Sequence, residues 1–249
     1  MKIGIIGAGE IGGTLIRQYT KAGHSVKMTN ASGIDKLKSL AAETGAIAVE
    51  LKEVVTDVDV IVISIPMFRI PELPKSLFEN IKAGTAVIDT GNYYPMRDGI
   101  IEDIEKGMTE SEWVSNQVGQ PVIKAYNNIF YRSLLYSGLP KGTASRLALP
   151  VAGDSKQSKE VVSVLIDDSG FDSLDAGSLH DSWKQQPGSP VYCTDLMLPQ
   201  LKKSLAKTTR ELLPGRRELG LKYILSHDNE LWKENVEYNR EIYESVMSV

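Results

Sequence analysis

The chain has 249 residues, with 28 Lys and Arg against 32 Asp and Glu, a net charge of −4. That balance lacks the basic footprint of a phosphate-backbone binder, so no nucleic-acid partner is expected. A hydrophobic share of 42% and a charged share of 24% exclude disorder as the default state and suit one large domain or two small ones.

One cysteine, Cys193, and three histidines exclude an intramolecular disulfide and give no zinc spacing; a reducing compartment and no structural metal are expected. The amino terminus has one lysine before a very short apolar run and no cleavage pattern behind it, so it does not read as a signal peptide. The aliphatic stretch Val60-Ile61-Val62-Ile63 is far shorter than the roughly 20 residues that cross a bilayer. The expectation is a cytoplasmic protein with no membrane partner.

In chain order, short β-branched runs alternate with helix-period segments, the pattern of βαβ units and a mostly parallel sheet. Residues 2–6 read as the first strand. Ile11, Leu15, Ile16 and Tyr19 recur at helical spacing until Gly23, and residues 25–29 form the next strand. Residues 34–44 read as an amphipathic helix. Residues 58–65 and 86–89 are apolar almost throughout, as interior parallel strands buried on both faces are. Another strand is expected at 122–126. Beyond Gly142 come a strand at 148–152, a helix at 156–167 and a strand at 171–174. From Leu196 the pattern is helical, with Leu198, Leu201, Leu205, Trp232, Val236, Tyr243 and Val246 at buried spacings. No internal repeat or low-complexity tract is visible.

Gly7-Ala8-Gly9-Glu10-Ile11-Gly12 follows the first strand and opens the first helix, the context that makes a G-x-G-x-x-G run a dinucleotide site. Gly7 allows the tight turn, Gly9 lets a pyrophosphate reach the backbone, Gly12 permits close packing, and free helix amides hold the anion. An NAD enzyme places an acid at the end of the second strand. Here Met28-Thr29-Asn30-Ala31-Ser32-Gly33 has no carboxylate before Asp35. Thr29, Asn30 and Ser32 can donate to a 2′-phosphate and Lys36 can neutralise it, which favours NADP(H). The same residues also suit a turn and a helix cap.

Ser64-Ile65-Pro66-Met67, the segment 89–94 and Tyr126-Asn127-Asn128 end successive strands at one sheet edge, where ligands sit in open α/β folds. Ile65, Pro66 and Met67 are read as cofactor contacts, and Asn92, Asn127, Trp183 and Gln185 as substrate-pocket candidates. There is no G-x-S-x-G elbow and no H-E-x-x-H helix. If the substrate is a carbonyl or imine, the proton donor comes from His180, Tyr192 or Tyr126. The pair His180-Asp181 also reads as a surface or capping pair, Cys193 as a small buried hydrophobe and His24 as a turn residue.

The glycine turn, Ser64-Ile65-Pro66, Val151-Ala152-Gly153-Asp154 and Leu174-Asp175-Ala176-Gly177-Ser178-Leu179 together resemble the NADP-dependent oxidoreductases of the 8-hydroxy-5-deazaflavin coenzyme, F420. The resemblance covers roughly residues 1 to 180. It implies an α/β fold, a Rossmann-type doubly wound parallel sheet over residues 1–144, with a smaller, mainly helical carboxy-terminal domain over 145–249 completing the cleft. It further implies a homodimer and a deazaflavin as co-substrate facing NADP(H). By position, Gly7, Gly9 and Gly12 would meet the pyrophosphate, Thr29, Asn30 and Ser32 the 2′-phosphate, Ile65 and Pro66 the nicotinamide, and Asn127 the deazaflavin.

The chain departs from the archaeal pattern at Asn30-Ala31, where arginines are expected. The run from Gly177 to Asp195 resembles a bacterial subgroup of unknown substrate, and the tail from Leu213 to Val249 has no counterpart in compact family members. The function expected is hydride transfer between NADP(H) and a deazaflavin-like or other planar small-molecule acceptor. The alternatives are a small imine or carbonyl reductase, or a non-catalytic NADPH sensor.

Overall fold

Alternation along the strands builds two apolar faces at once. In the computed structural model, which describes residues 1–226 and 231–245, β1 (Lys2–Ile6), β2 (Ser25–Thr29), β3 (Ile47–Ala48), β4 (Val60–Ile63), β5 (Ala86–Asp89) and β6 (Ile123–Lys124) form one parallel sheet in the order β3-β2-β1-β4-β5-β6. Val60 and Val62 join Ile3, Ile5 and Ile88 in one core with Leu15, Ile16 and Tyr19 of helix Glu10–Lys21. Ile61 and Ile63 join Ile6 and Val87 in the other, against Phe78, Trp113 and Val114. Successive side chains point to opposite faces and both faces are covered, so β4 has no polar residue. This order, reversing between β1 and β4, is the doubly wound Rossmann arrangement.

The register places Ile3 beside Val26 on one side and Val60 on the other. All six strands therefore end together, and the turns after β1, β4, β5 and β6 share one edge.

Several expected elements differ at their ends. The 34–44 helix is a 3₁₀ turn, Ile34–Leu37, followed by helix Lys38–Thr44. The strand at 58–65 is hydrogen-bonded only over Val60–Ile63; Ser64 N–H reaches Ile6 O at 2.8 Å, and Pro66 has no N–H to extend the ladder. The 122–126 strand is only Ile123–Lys124, and Tyr126 turns into the left-handed region at φ 60°. Strand β3, helix Glu110–Val118 and helix Tyr131–Tyr136 had no clear periodic signal.

After turns at 141–145, β7 (Ala148–Val151) and β8 (Asp172–Asp175) pair in parallel, with helix Lys156–Asp168 between them. Lys124 and Ala152 exchange backbone hydrogen bonds of 2.8 and 3.1 Å in an antiparallel bridge, which ties this pair to the edge of the large sheet. The first apolar core also takes in Leu149, Val151, Val162, Leu165 and Phe171. Helices Leu198–Ala206, Leu213–Ser226 and Trp232–Ser245 follow. Leu201, Leu205 and Val236 are buried as expected, but Leu198, in the first turn of its helix, is exposed and Trp232 only half-buried. Val246 and the side chain of Tyr243 lie outside the described residues. No helix among the described residues is long and apolar enough to cross a membrane.

Candidate active site

The glycine turn runs from β1 into the N-terminus of helix Glu10–Lys21. Gly7 has φ 101°, and a Cβ there would lie 2.2 Å from Ser64 O; one on Gly12 would lie 1.9 Å from Gly7 O. Both are held to glycine by backbone packing. A Cβ on Gly9 would meet nothing within 4 Å. Its open side faces a cleft of about 370 Å³, whose walls include Gly9, Glu10, Ile11, Ser64, Ile65 and Pro66. Gly9 is the N-cap, without a side chain to occupy the first helix amides, which leaves them for an anion.

At the end of β2, Thr29 is buried and its carbonyl accepts from Gly7 N–H at 2.9 Å. Asn30 carries a buried side-chain oxygen with no partner, while Ser32 and Lys36 are exposed. Nearby Arg17 is tied to Glu43 through two contacts of 2.6 and 2.8 Å. Met67 does not reach the cleft. It is fully buried in the second core, because the 3₁₀ turn that follows Pro66 directs it inward.

The other half of the cleft is built by Thr90, Gly91, Asn92, Tyr94 and Arg97 after β5, by Tyr126, Asn127, Ile129, Phe130 and Tyr131 after β6, and by Tyr192 and Cys193. Asn92 and Asn127 meet there. Asn92 Nδ2 donates to Asn127 O at 2.9 Å, and Asn127 Nδ2 donates to Asn92 Oδ1 at 3.0 Å and to Gln185 O at 2.7 Å. Gln185 is fully buried behind them; its Nε2 donates to Asn127 Oδ1 at 3.0 Å. It holds the cleft wall from outside rather than lining it. Trp183 is also outside, with Lys184 and Arg210 5.7 and 5.6 Å from its ring, a cation–π sandwich that occupies the indole.

The three proton-donor candidates separate clearly. His180 is an exposed residue paired with Glu112 at 3.0 Å, and Asp181 caps Ser178 and binds Lys184, as a surface pair does. Tyr126 lines the cleft but is fully buried, and its hydroxyl lies 3.3 Å from Ser169 Oγ in the core, with its ring edge-on to Tyr19. Tyr192 remains in the wall, its hydroxyl 2.7 Å from that of Tyr94. Burial pushes both phenols up; Tyr94 raises Tyr192 further, while the hydrogen bond with Tyr192 pulls Tyr94 partly back, so both keep their protons near neutrality. The Cys193 thiol is likewise pushed up by burial, which keeps it an unreactive thiol.

Beneath Gly91 lies a buried set of charges, Asp89, Glu110 and Lys124. Burial pushes the Glu110 carboxyl up to about 7, against the opposing pull of Lys124. These residues were not singled out from sequence, although a lysine inside the apolar run Val122-Ile123-Lys124-Ala125 is the one signal available. Arg97 and the aromatic pair Phe130-Tyr131 had no distinguishing pattern.

The strand order, the glycine turn and the cleft at the carboxyl edge define the class: a Rossmann-type fold of the doubly wound kind. Within it, residues 2–93 match the family described as NADP oxidoreductase, coenzyme F420-dependent, so the family resemblance is borne out over that segment. A stretch of 60 residues is 45% identical to "Putative protein YjhV" of Escherichia coli (strain K12), 24% of this chain and 44% of that protein. The chain thus spans under half the length of that curated relative. The hypothetical protein SMa0349 from Sinorhizobium meliloti is similar over 79% of this chain and 95% of its own, with 28% identity and a TM-score of 0.69. The "putative f420 dependent nadp-reductase" from Arthrobacter sp. FB24 shares the fold, at 17% identity and TM-score 0.57 over 72% and 85% of the two chains.

Proposed function

We propose that the chain is an NADPH-dependent oxidoreductase that transfers a hydride between NADP(H) and a planar, deazaflavin-like acceptor. The carrying observation is that Gly9 opens onto the same cleft that continues past Ile65 and Pro66 to Phe130 and Tyr131. The residues fit the dinucleotide. A Cβ at Gly9 would fill the space a pyrophosphate needs, and the orphaned Asn30 amide offers its NH₂ to a 2′-phosphate after a half-turn of the side chain. Thr29, Ser32 and Lys36 are the further candidates for that phosphate.

NADPH, when bound, would supply a hydride, which the acceptor would take up together with one proton from solvent. The chain's own residues have the task of alignment. The amides that follow Gly9 hold the anion, Ile65 and Pro66 bracket one side, and Ile129, Phe130 and Tyr131 close the other with apolar surface that excludes water. Holding two rings in a near-attack arrangement is worth about 7–11 kcal/mol. A deazaflavin needs no acid from the protein. The Tyr94–Tyr192 pair favours a second reading, reduction of a small imine or carbonyl, since one phenol donating to the other leaves one proton to give.

Anaerobic titration with NADPH followed by 8-hydroxy-5-deazaflavin tests the proposal. Bleaching of the deazaflavin at catalytic enzyme concentrations is the expected result. Tight NADPH binding without bleaching rejects that acceptor, and reduction of cyclic imines or carbonyls instead, lost in Tyr192→Phe, establishes the second reading. Tight binding with no turnover of any acceptor leaves an NADPH sensor.

A further inference from the structure

Among the described residues, the tail from Leu213 onward gives the cleft no lining side chain, yet its helix Trp232–Ser245 grips a segment that does line it. Tyr192 and Cys193 form one wall of the acceptor half. The backbone there bends sharply. Cys193 has φ 54° and Asp195 φ 49°, left-handed values that a residue with a side chain keeps only where its surroundings hold it. Three carbonyls in a row, at 193–195, are held by two neighbouring side chains of that helix. Asn239 Nδ2 donates to Cys193 O at 3.2 Å, Arg240 Nε to Thr194 O at 2.7 Å and Arg240 Nη2 to Asp195 O at 2.8 Å. From the turn after β6, Asn128 O accepts from Cys193 N–H at 2.8 Å and Asn128 Nδ2 donates to Val191 O at 3.1 Å. Ser133 Oγ donates to Asp195 Oδ2 at 2.7 Å.

Docking of the helix does not by itself call for these bonds. Val236 and Ile242 bury apolar surface on it, and leucine at 239 would be both the better helix former and free of a polar group to satisfy. Asparagine stands there instead, 2% exposed, with its amide aimed at one carbonyl. Position explains the arrangement. The left-handed turn begins at the residue after Tyr192, whose hydroxyl lies 2.7 Å from that of Tyr94. Relaxation of 193–195 to ordinary backbone would redirect the chain at that point and break the contact.

We propose that Asn239 and Arg240 are positioning residues: acting through the carbonyls of 193–195, they set Tyr192 and Cys193 in the wall that the acceptor meets. This role deepens the acceptor reading given above and rests on it. The tail, which the family resemblance left without a counterpart, then shapes the acceptor site without touching the acceptor.

Cys193 is the chain's one cysteine and is 3% exposed, so labelling of the full chain with iodoacetamide at fixed pH reads the opening of this segment alone. Asn239→Leu and Arg240→Met remove the donors and keep residues that favour a helix. Each is expected to label at least tenfold faster than wild type, at a rate that stays flat in urea below the unfolding transition, since local opening exposes little surface. An unchanged rate, or one that climbs with urea as global unfolding does, overturns the clamp. With 8-hydroxy-5-deazaflavin as acceptor, both variants are expected to lower its kcat/KM at least fivefold while the NADPH Kd stays within twofold of wild type. Fast labelling with unchanged acceptor kinetics, or an equal loss of NADPH affinity, contradicts positioning for the acceptor. If the wild type does not reduce the deazaflavin, that acceptor reading fails by itself, and the labelling rates still decide whether the tail holds the wall.

Discussion

Gly9 and Gly12 lie three residues apart, and an added methyl group meets open space at the first and a carbonyl oxygen at the second. Gly9→Ala is therefore expected to leave stability within about 1 kcal/mol of wild type, since φ −75° suits alanine and the cap has no side chain to lose. It should nevertheless weaken NADPH binding tenfold or more. Gly12→Ala should lose about 1–3 kcal/mol of stability through overpacking against Gly7, with the binding lost as well. Calorimetric titration beside denaturant unfolding separates the two; equal effects on both properties in Gly9→Ala would remove the ligand from that space. Glu110 makes a second residue-scale prediction. Its carboxyl is at about 7 in the folded chain against 4.5 as the ordinary value, so between those limits the native state holds a proton that the unfolded chain releases. Stability then falls as pH rises from 4.5 to 7. Thermal melts of Glu110→Gln across that window should lack this contribution and rise relative to wild type with increasing pH. Of the candidate site, the glycine turn of Gly7, Gly9 and Gly12 was legible in the sequence, because its conformation and packing are local. Met67 and Trp183 stand outside the cleft wall rather than in it, because a side chain's direction depends on the turn that carries it.

Among the elements, β1, β2 and β5 have the expected bounds; in β1 and β5 a nearly continuous apolar run has few other uses. Edge elements were not. In β3 only two residues pair, and β6 is cut short where Tyr126 turns left-handed. Helix Glu110–Val118 was missed although it carries a capping box, Thr109 with Glu112, because its buried face mixes Glu110 and Ser111 with Trp113, Val114 and Val118. Thr109 Oγ1 accepts from Glu112 N–H at 3.2 Å, and Glu112 Oε2 accepts from Thr109 N–H at 2.9 Å. This helix delivers Glu110 to the buried cluster. Thr109→Ala should cost about 0.5–2 kcal/mol, read as a lower urea midpoint at unchanged slope; no change in midpoint would mean that the helix start is held by packing alone.

For the molecule as a whole, Gln185 is the residue that joins the parts of the cleft. Its Nε2 reaches Asn127 Oδ1 at 3.0 Å, Lys124 O at 3.3 Å and Pro150 O at 3.4 Å, linking the end of β6 to β7. Gln185→Leu removes the Nε2 donor from Asn127 Oδ1 and breaks this link, an expected loss of about 1–3 kcal/mol. Acceptor turnover should fall while NADPH affinity holds, because the glycine turn is not touched; a fall in both would mean that the two halves of the cleft are not separable. The sequence by itself determined the alternation of strands and helices, the mostly parallel sheet and the glycine turn, since each follows from periodicity or backbone conformation within a few residues. Tertiary structure alone decided which side chains share the cleft. Tyr94 meets Tyr192 across 98 residues of chain and Asn127 meets Gln185 across 58, and such pairs are fixed by how one sheet edge packs against the segments that return to it, which no local pattern encodes.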